Sequence, residues 1–147
     1  MTIALSAREV AQEITERFPN AVVEASDTAI LINGDSLLQV ARFLKDTPGL
    51  EFDYLNHITA VDYYQYFEVI YQLTSIKHNH SLVIKARCYG RDNPSLPSVV
   101  SLWRGADYQE REIYDLMGIT FEGHPNMKRI VLWPGFKGHP LRKDYLE

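Results

Sequence analysis

The sequence predicts an α+β fold, with helices packed on a mainly antiparallel sheet in the order α-β-β-α-β-β-β-α and an extended C-terminal arm. Three observations lead there: apolar residues recur at helical spacing in two early segments, period-two alternation runs through three long segments in the middle, and a charged helical pattern precedes a tail rich in proline and glycine. At 147 residues, 46% of them hydrophobic, the chain suits one domain burying about 70% of its unfolded surface. We expect a core over residues 1–118 and a docking arm over 119–147.

Ser6, with Glu9 three residues on, forms a capping-box pattern; Val10, Ile14 and Phe18 follow at four-residue spacing, and Pro19 with Asn20 stops this first helix. Two short β-prone runs, 21–25 and 28–33, are separated by Ser26 and Asp27 and read as a hairpin. Asp35 or Ser36 caps a second helix whose Leu37, Val40, Ala41 and Leu44 keep one face, ending before Pro48 and Gly49. Three longer strands follow. Residues 52–62 are rich in aromatic and β-branched types; 66–76 put Phe67, Val69, Tyr71 and Leu73 on one face; 81–89 do the same with Leu82, Ile84, Ala86 and Cys88. Lys85 and Arg87 lie opposite, so the other side of the sheet is expected to be wet or covered by a partner. The string RDNP at 91–94, with Leu96 and Pro97, breaks the pattern; Ser98 is expected to cap a short helix through Trp103, and Gly105 separates it from a helix beginning after Asp107.

Composition excludes several function classes. A net charge of −4 argues against a general nucleic-acid binder, which carries a basic face. One cysteine, Cys88, allows no internal disulfide, self-contained iron–sulfur cluster or cysteine-based zinc site, and its strand pattern suggests a buried thiol in a reducing compartment. No signal-peptide pattern and no apolar run near 18 residues is present, so the chain is expected to be soluble or attached to a membrane only through a partner.

The charge is unevenly placed: residues 107–122 hold five acids and one base, and 124–147 hold five bases and two acids. On a helical wheel Ile113, Tyr114, Leu116 and Met117 make an apolar arc opposite Arg111, Glu112 and Asp115, and Glu110 falls inside that arc. A carboxylate there either closes a capping box with Asp107 or meets a buried arginine of the arm or of another subunit. From 118 to 147 lie three of the seven prolines and four of the eight glycines, with 130–133 the one sustained apolar run. Such a segment orders only against a surface, because each fixed residue costs about 1–2 kcal/mol. Residues 130–133 could instead add an edge strand to the chain's own sheet.

Three chemistries fit these residues. Glu110 or Glu112 with Asp115 could form a two-carboxylate acid/base site, given a pocket. His78 and His80 are the one close histidine pair available to a metal. The acidic helix followed by a basic arm makes a docking surface, with Arg129 and Arg142 forking to carboxylates on a neighbour and Trp133 and Tyr145 as anchors. The third reading uses the most residues.

The string EREIYDLMGI at 110–119, then Phe121, GHP at 123–125, KRI at 128–130 and GHPLRKDY at 138–145, closely resembles the signature of the 30-kDa subunit family of respiratory complex I, found in the bacterial NADH-quinone oxidoreductase and in its plastid and cyanobacterial counterparts. RDNP at 91–94, with Pro97 and Ser98, extends the likeness upstream. The resemblance implies a non-catalytic peripheral-arm subunit of a proton-pumping NADH:quinone oxidoreductase. It implies no cofactor in this chain; FMN, iron–sulfur clusters, NADH and quinone belong to other subunits. The implied partners are the large quinone-site subunit, of 49-kDa type, and neighbouring iron–sulfur subunits, with the arm wrapped over the former on the cytoplasmic side of a bacterial cell membrane. Glu110, Arg111, Glu112, Asp115, His124, Arg129, Arg142 and Asp144 match motif positions and are carried over as structural and interface residues. Pro125, Trp133, His139, Lys143 and Tyr145 join them as interface candidates, none being catalytic or metal-binding. Two departures stand out: Met117 occupies a position where phenylalanine is common, and residues 133–137 replace a more acidic stretch. Ending two residues after Tyr145, the chain reads as a short free-standing form, and in isolation its arm could exchange between two copies as a homodimer. Related hydrogenase and ferredoxin- or coenzyme-linked complexes use the same module.

Overall fold

A computed structural model describes residues 2–145. Strand β1 (Ile3–Ala4) leads into helix α1 (Ala7–Arg17), where Ser6 Oγ accepts the Glu9 N–H as the capping pattern requires. Strands β2 (Val22–Ala25) and β3 (Ala29–Ile32) form the expected antiparallel hairpin, with a bulge between Val22 and Glu24. A 3-10 turn, Gly34–Ser36, is capped by the Asn33 side chain, which accepts the Asp35 N–H, and leads into α2 (Leu37–Asp46), where Ser36 stands at the N-cap as expected but makes no side-chain cap bond.

Strands β4 (Tyr54–Asp62), β5 (Tyr66–Ser75) and β6 (His80–Tyr89) form the antiparallel meander within a residue or two of the expected bounds. The sheet runs β2-β3-β6-β5-β4, with β1 also on β6, and both β3 and β1 meet β6 in parallel. The sheet is therefore mixed: the chain leaves β3 through α2 and two further strands before returning beside it. The inward residues foreseen on β5 and β6 join Ile30, Ile32, Val10, Ile14, Leu37, Val40 and Leu44 in one apolar core. Each fully buried large apolar side chain contributes roughly 1.5–3 kcal/mol. On the opposite face Glu68 meets Arg87 at 3.3 Å and Lys85 at 3.9 Å, so neighbouring strands share their charges in pairs.

The expected helix from Ser98 to Trp103 does not form. Residues 95–97 are instead a strand, β7 (Ser95–Pro97), paired in parallel with β8 (Thr120–Glu122), and the chain then makes one turn in which the Leu102 and Trp103 N–H groups donate to Val99 O. The Ser98 hydroxyl, expected to cap a helix, donates to Glu110. Helix α3 (Ala106–Met117) lies along β4, where Gln109 Oε1 accepts the N–H of Ile58 from the sheet's edge. Ile119 and Phe121 are fully buried, so the chain parts from the core after β8.

Candidate docking site

Helix α3 carries no basic residue in its last turn, and its four final carbonyls would be orphans facing the negative end of the helix dipole. The sequence after it supplies what is missing. Gly118 takes φ +77°, ending the helix with its N–H on Tyr114 O at 2.8 Å. The Asp115 carbonyl accepts from Arg129 Nη1 at 3.0 Å and His139 Nδ1 at 2.9 Å; the Leu116 carbonyl accepts from Leu141 N at 2.9 Å; the Met117 carbonyl accepts from Arg142 Nε at 2.6 Å. Every one of those carbonyls from 115 to 117 is thus capped by residues 129–142. A Cβ on Gly118 would stand 2.7 Å from both Arg142 Nη2 and His139 Cδ2, so its bare backbone also makes room for the cap.

The Asp115 side chain is the strongest single latch. It is fully buried: Oδ1 takes Arg129 Nη1 at 2.5 Å, and Oδ2 takes the successive N–H groups of Ile130, Val131 and Leu132 at 3.2, 2.7 and 2.8 Å. Burial alone would raise its pKa, but the Leu132 N–H, Arg129 and the other two N–H groups outweigh it and hold the carboxyl below its ordinary value. An edge strand at 130–133 is therefore not what forms, because these N–H groups curl around one oxygen as a nest instead of facing a strand.

A second latch lies at the far end of the arm. Arg91 holds the buried Asp62 through Nη1 and Nη2 at 2.6 and 2.7 Å, and Asp62 also accepts from Tyr64 N at 2.8 Å and Lys143 N at 2.9 Å. Arg91 hydrogen bonds keep the Asp62 carboxyl far below its usual range against the opposing effect of burial. The same guanidinium reaches Asp144 at 3.0 Å, and Arg142 donates to Arg91 O at 3.0 Å while lying 5.1 Å from the Phe67 ring centroid. Asp62 and Arg91 did not figure among the expected site residues. The signal was available: Asp62 shares the inward register of Ile58 and Ala60 on β4, where an acid needs a partner.

Glu110 departs from both readings of it. Gly105 stands at the N-cap without a side-chain bond, so no box closes with Asp107; nor does any arginine meet it. Its buried carboxylate accepts the Ser98 hydroxyl at 2.6 Å and the Val99 N–H at 2.9 Å, tying α3 to the turn after β7. Burial raises its pKa, with the two hydrogen bonds opposing. Arg111 donates to the carbonyls of Lys128 and Arg129 at 3.2 and 3.1 Å. His124, its side chain fully buried, accepts the Asn126 N–H at Nδ1 and donates from Nε2 toward Asp107. Glu112, Pro125 and Trp133 are exposed, Lys143 Nζ lies 5.6 Å from the Tyr64 ring centroid, and Tyr145 stacks on Phe136 across Gly138. Arg129 and Arg142, foreseen on a neighbour's carboxylates, are engaged within the chain.

This geometry suits neither competing chemistry. Glu110 and Asp115 are sealed from substrate and fully hydrogen-bonded. His78 and His80 stack with ring centroids 5.4 Å apart, their Nε2 atoms engaged by Glu51 and by Leu50 O. Among the described residues no group of three or more His, Cys, Asp or Glu is placed to hold a metal ion. Nor is any helix among them long and apolar enough to cross a membrane.

Residues 30–147 match the family described as respiratory-chain NADH dehydrogenase, 30 Kd subunit. A Rhizobium meliloti protein named as an NADH-quinone oxidoreductase subunit is 42% identical over 80% of this chain, which spans 65% of that relative's length. A Roseiflexus castenholzii protein, likewise named as an NADH-quinone oxidoreductase subunit, is 38% identical over 97% of this chain and 85% of its own. A chain in the structure of the membrane-bound sulfane sulfur reductase, an archaeal respiratory membrane complex, shares the fold at a TM-score of 0.75 and 24% identity, covering 94% of this chain and 84% of that one.

Proposed function

The chain belongs to the 30-kDa subunit family of respiratory-chain NADH dehydrogenase, and from that premise we propose that it is a non-catalytic peripheral-arm subunit of an NADH:quinone oxidoreductase. In this reading electrons pass from NADH to quinone through FMN and iron–sulfur clusters held by other subunits, on the cytoplasmic side of a bacterial cell membrane. This chain braces the large quinone-site subunit, beside the iron–sulfur subunits, and docks through the arm that follows β8, from Gly123 onward. One observation carries the proposal: Arg111 and Asp115 of α3 and Arg129 and Arg142 of the arm are spent on holding the arm in a defined shape. A scaffold needs such a shape, whereas an enzyme would leave a reactive group open to substrate.

The test is co-purification of the tagged full chain with the large subunit from cells that make the complex. Because Ile119 and Phe121 belong to the core, the arm is removed from Gly123 onward. The shortened chain should keep its core melting transition and lose the large subunit; retained association would refute the proposal.

A further inference from the structure

The latches consume the arm's polar groups and leave a different chemistry outside. Val131 is 60% exposed, Trp133 65%, Leu141 60% and Ile130 37%, an apolar set on a segment otherwise built of proline, glycine and charge. The backbone that carries them is anchored at the helix end. Asp115 binds the backbone of 130–132 and Leu116, its neighbour, binds Leu141 N, so the two stretches meet at adjacent positions of α3. Leu141 also forms one wall of a groove of 220 Å³ between β4 and α3, beside Ile58, Ile113 and Leu116.

Exposed charge on the arm itself is mainly basic, with Glu112 of α3 the acid on the groove beside Leu141. Asp144 is the single acid from 123 to 145, and it is held by Arg91. Arg129 is neutralised by Asp115, and Arg142 is turned onto backbone carbonyls. Lys128 and Lys137 are exposed and have no ion pair among the described residues.

We infer that the arm meets its partner through Ile130, Val131, Trp133 and Leu141, flanked by Lys128 and Lys137, and that the partner is a protein surface with an apolar patch edged by carboxylates. The arginines and acids of the motif lie behind this face and set its shape. This inference rests on the proposed docking role and deepens it, since it moves the recognition chemistry from the charged motif positions to the apolar residues between them. A Trp anchor with aliphatic neighbours and a charged rim is the composition of a protein-binding hot spot.

The experiment measures binding of the full chain to the co-expressed large subunit. Trp133→Ala combined with Leu141→Ala should weaken association about thirtyfold or more, the scale of a hot-spot loss, while amide protection in β5 and β6 is kept because both side chains are more than half exposed and outside the core. Lys128→Glu with Lys137→Glu should weaken it most at low salt. Wild-type binding by both double variants, while removal of the arm from Gly123 abolishes it, would overturn this inference and leave the docking role standing. Unchanged binding after arm removal would overturn both. Two further outcomes would reassign the face: sedimentation of wild type but not of Trp133→Ala, Leu141→Ala with phosphatidylglycerol vesicles, or a concentration-dependent dimer abolished by that variant. Either one, with large-subunit binding intact, overturns the inference.

Discussion

Replacing Asp115 by asparagine keeps the side chain's size while removing its charge and half of its acceptor capacity. In the wild type one carboxylate serves Arg129 and three backbone N–H groups. The amide has one oxygen, so its nitrogen must face either the guanidinium or the N–H groups, donor against donor. Breaking a buried pair from one side costs about 3–5 kcal/mol. Arg129 retains Gly138 O and is partly wet, which places the cost near the lower end, about 3 kcal/mol. That cost falls on the arm, because the core of α1, α2 and the sheet does not touch this carboxylate. Amide hydrogen exchange by NMR reads it directly: protection of Ile130, Val131 and Leu132 should fall by about two decades, at 1.4 kcal/mol per decade. Amides of β5 and β6 should keep their protection. Unchanged exchange at 130–132 would mean that the carboxylate is not the latch, and a uniform loss across β5 and β6 would mean that the arm is integral to global stability.

Acid should release the arm in the same way. Asp115 and Asp62 both have folded pKa values below the ordinary carboxyl range, so their stabilisation is present above the unfolded pKa of about 3.9 and is lost as pH falls through the folded values. Limited proteolysis between 126 and 137 should therefore stay slow from pH 7 to 5 and accelerate only in strong acid, where an acid-stable protease such as pepsin can read it. Glu110→Gln should be tolerated within about 1 kcal/mol in chemical denaturation, since the amide can accept from Val99 N and donate to Ser98 Oγ, whereas Glu110→Ala should cost about 1–3 kcal/mol for the stranded Val99 N–H. The Glu110 pKa is raised by burial, so wild-type stability should gain as pH falls through that raised value, and the glutamine variant should lack the gain. Gly118→Ala should destabilise the chain by more than the roughly 1–2 kcal/mol of a left-handed alanine, read by chemical denaturation, because its Cβ also meets Arg142 and His139. Cys88, buried with its thiol pushed up to about 12, should react with a thiol reagent at pH 8 only after unfolding.

Much of the fold was legible because its elements are long and strongly periodic. Phe67, Val69, Tyr71 and Leu73 alternate without exception, and so do the inward residues of β6. What escaped was nonlocal. The parallel meeting of β3 with β6 depends on residues some fifty positions apart, and nothing within either strand specifies it. Strand β7 contains Pro97 and reads as a breaker until β8, far downstream, pairs with it. The site was legible as a set of residues and misleading as a set of contacts. Glu110, Asp115, Arg129 and Arg142 stand out in the sequence as unusual, but a wheel diagram shows neither the Ser98 turn beneath Glu110 nor the three N–H groups that seek Asp115. Asp62 and Arg91 are harder to see because they stand outside the helix–arm string.

The division between latch and outer face bears on how such an arm binds. Fixing a residue's backbone costs about 1–2 kcal/mol, so an arm of some twenty residues ordered only on contact would reduce affinity severely. Here capped helix carbonyls, one nest around Asp115 and the Lys143 N–H on Asp62 hold much of that length before any partner arrives. Under the proposed docking role the charged motif acts on affinity through preorganisation, and a variant of Asp115 should slow association or reduce the competent fraction, whereas a variant of Trp133 should speed dissociation. Kinetics on the two variants separate the roles: equal effects on both rates from both residues would mean that latch and face are one surface after all.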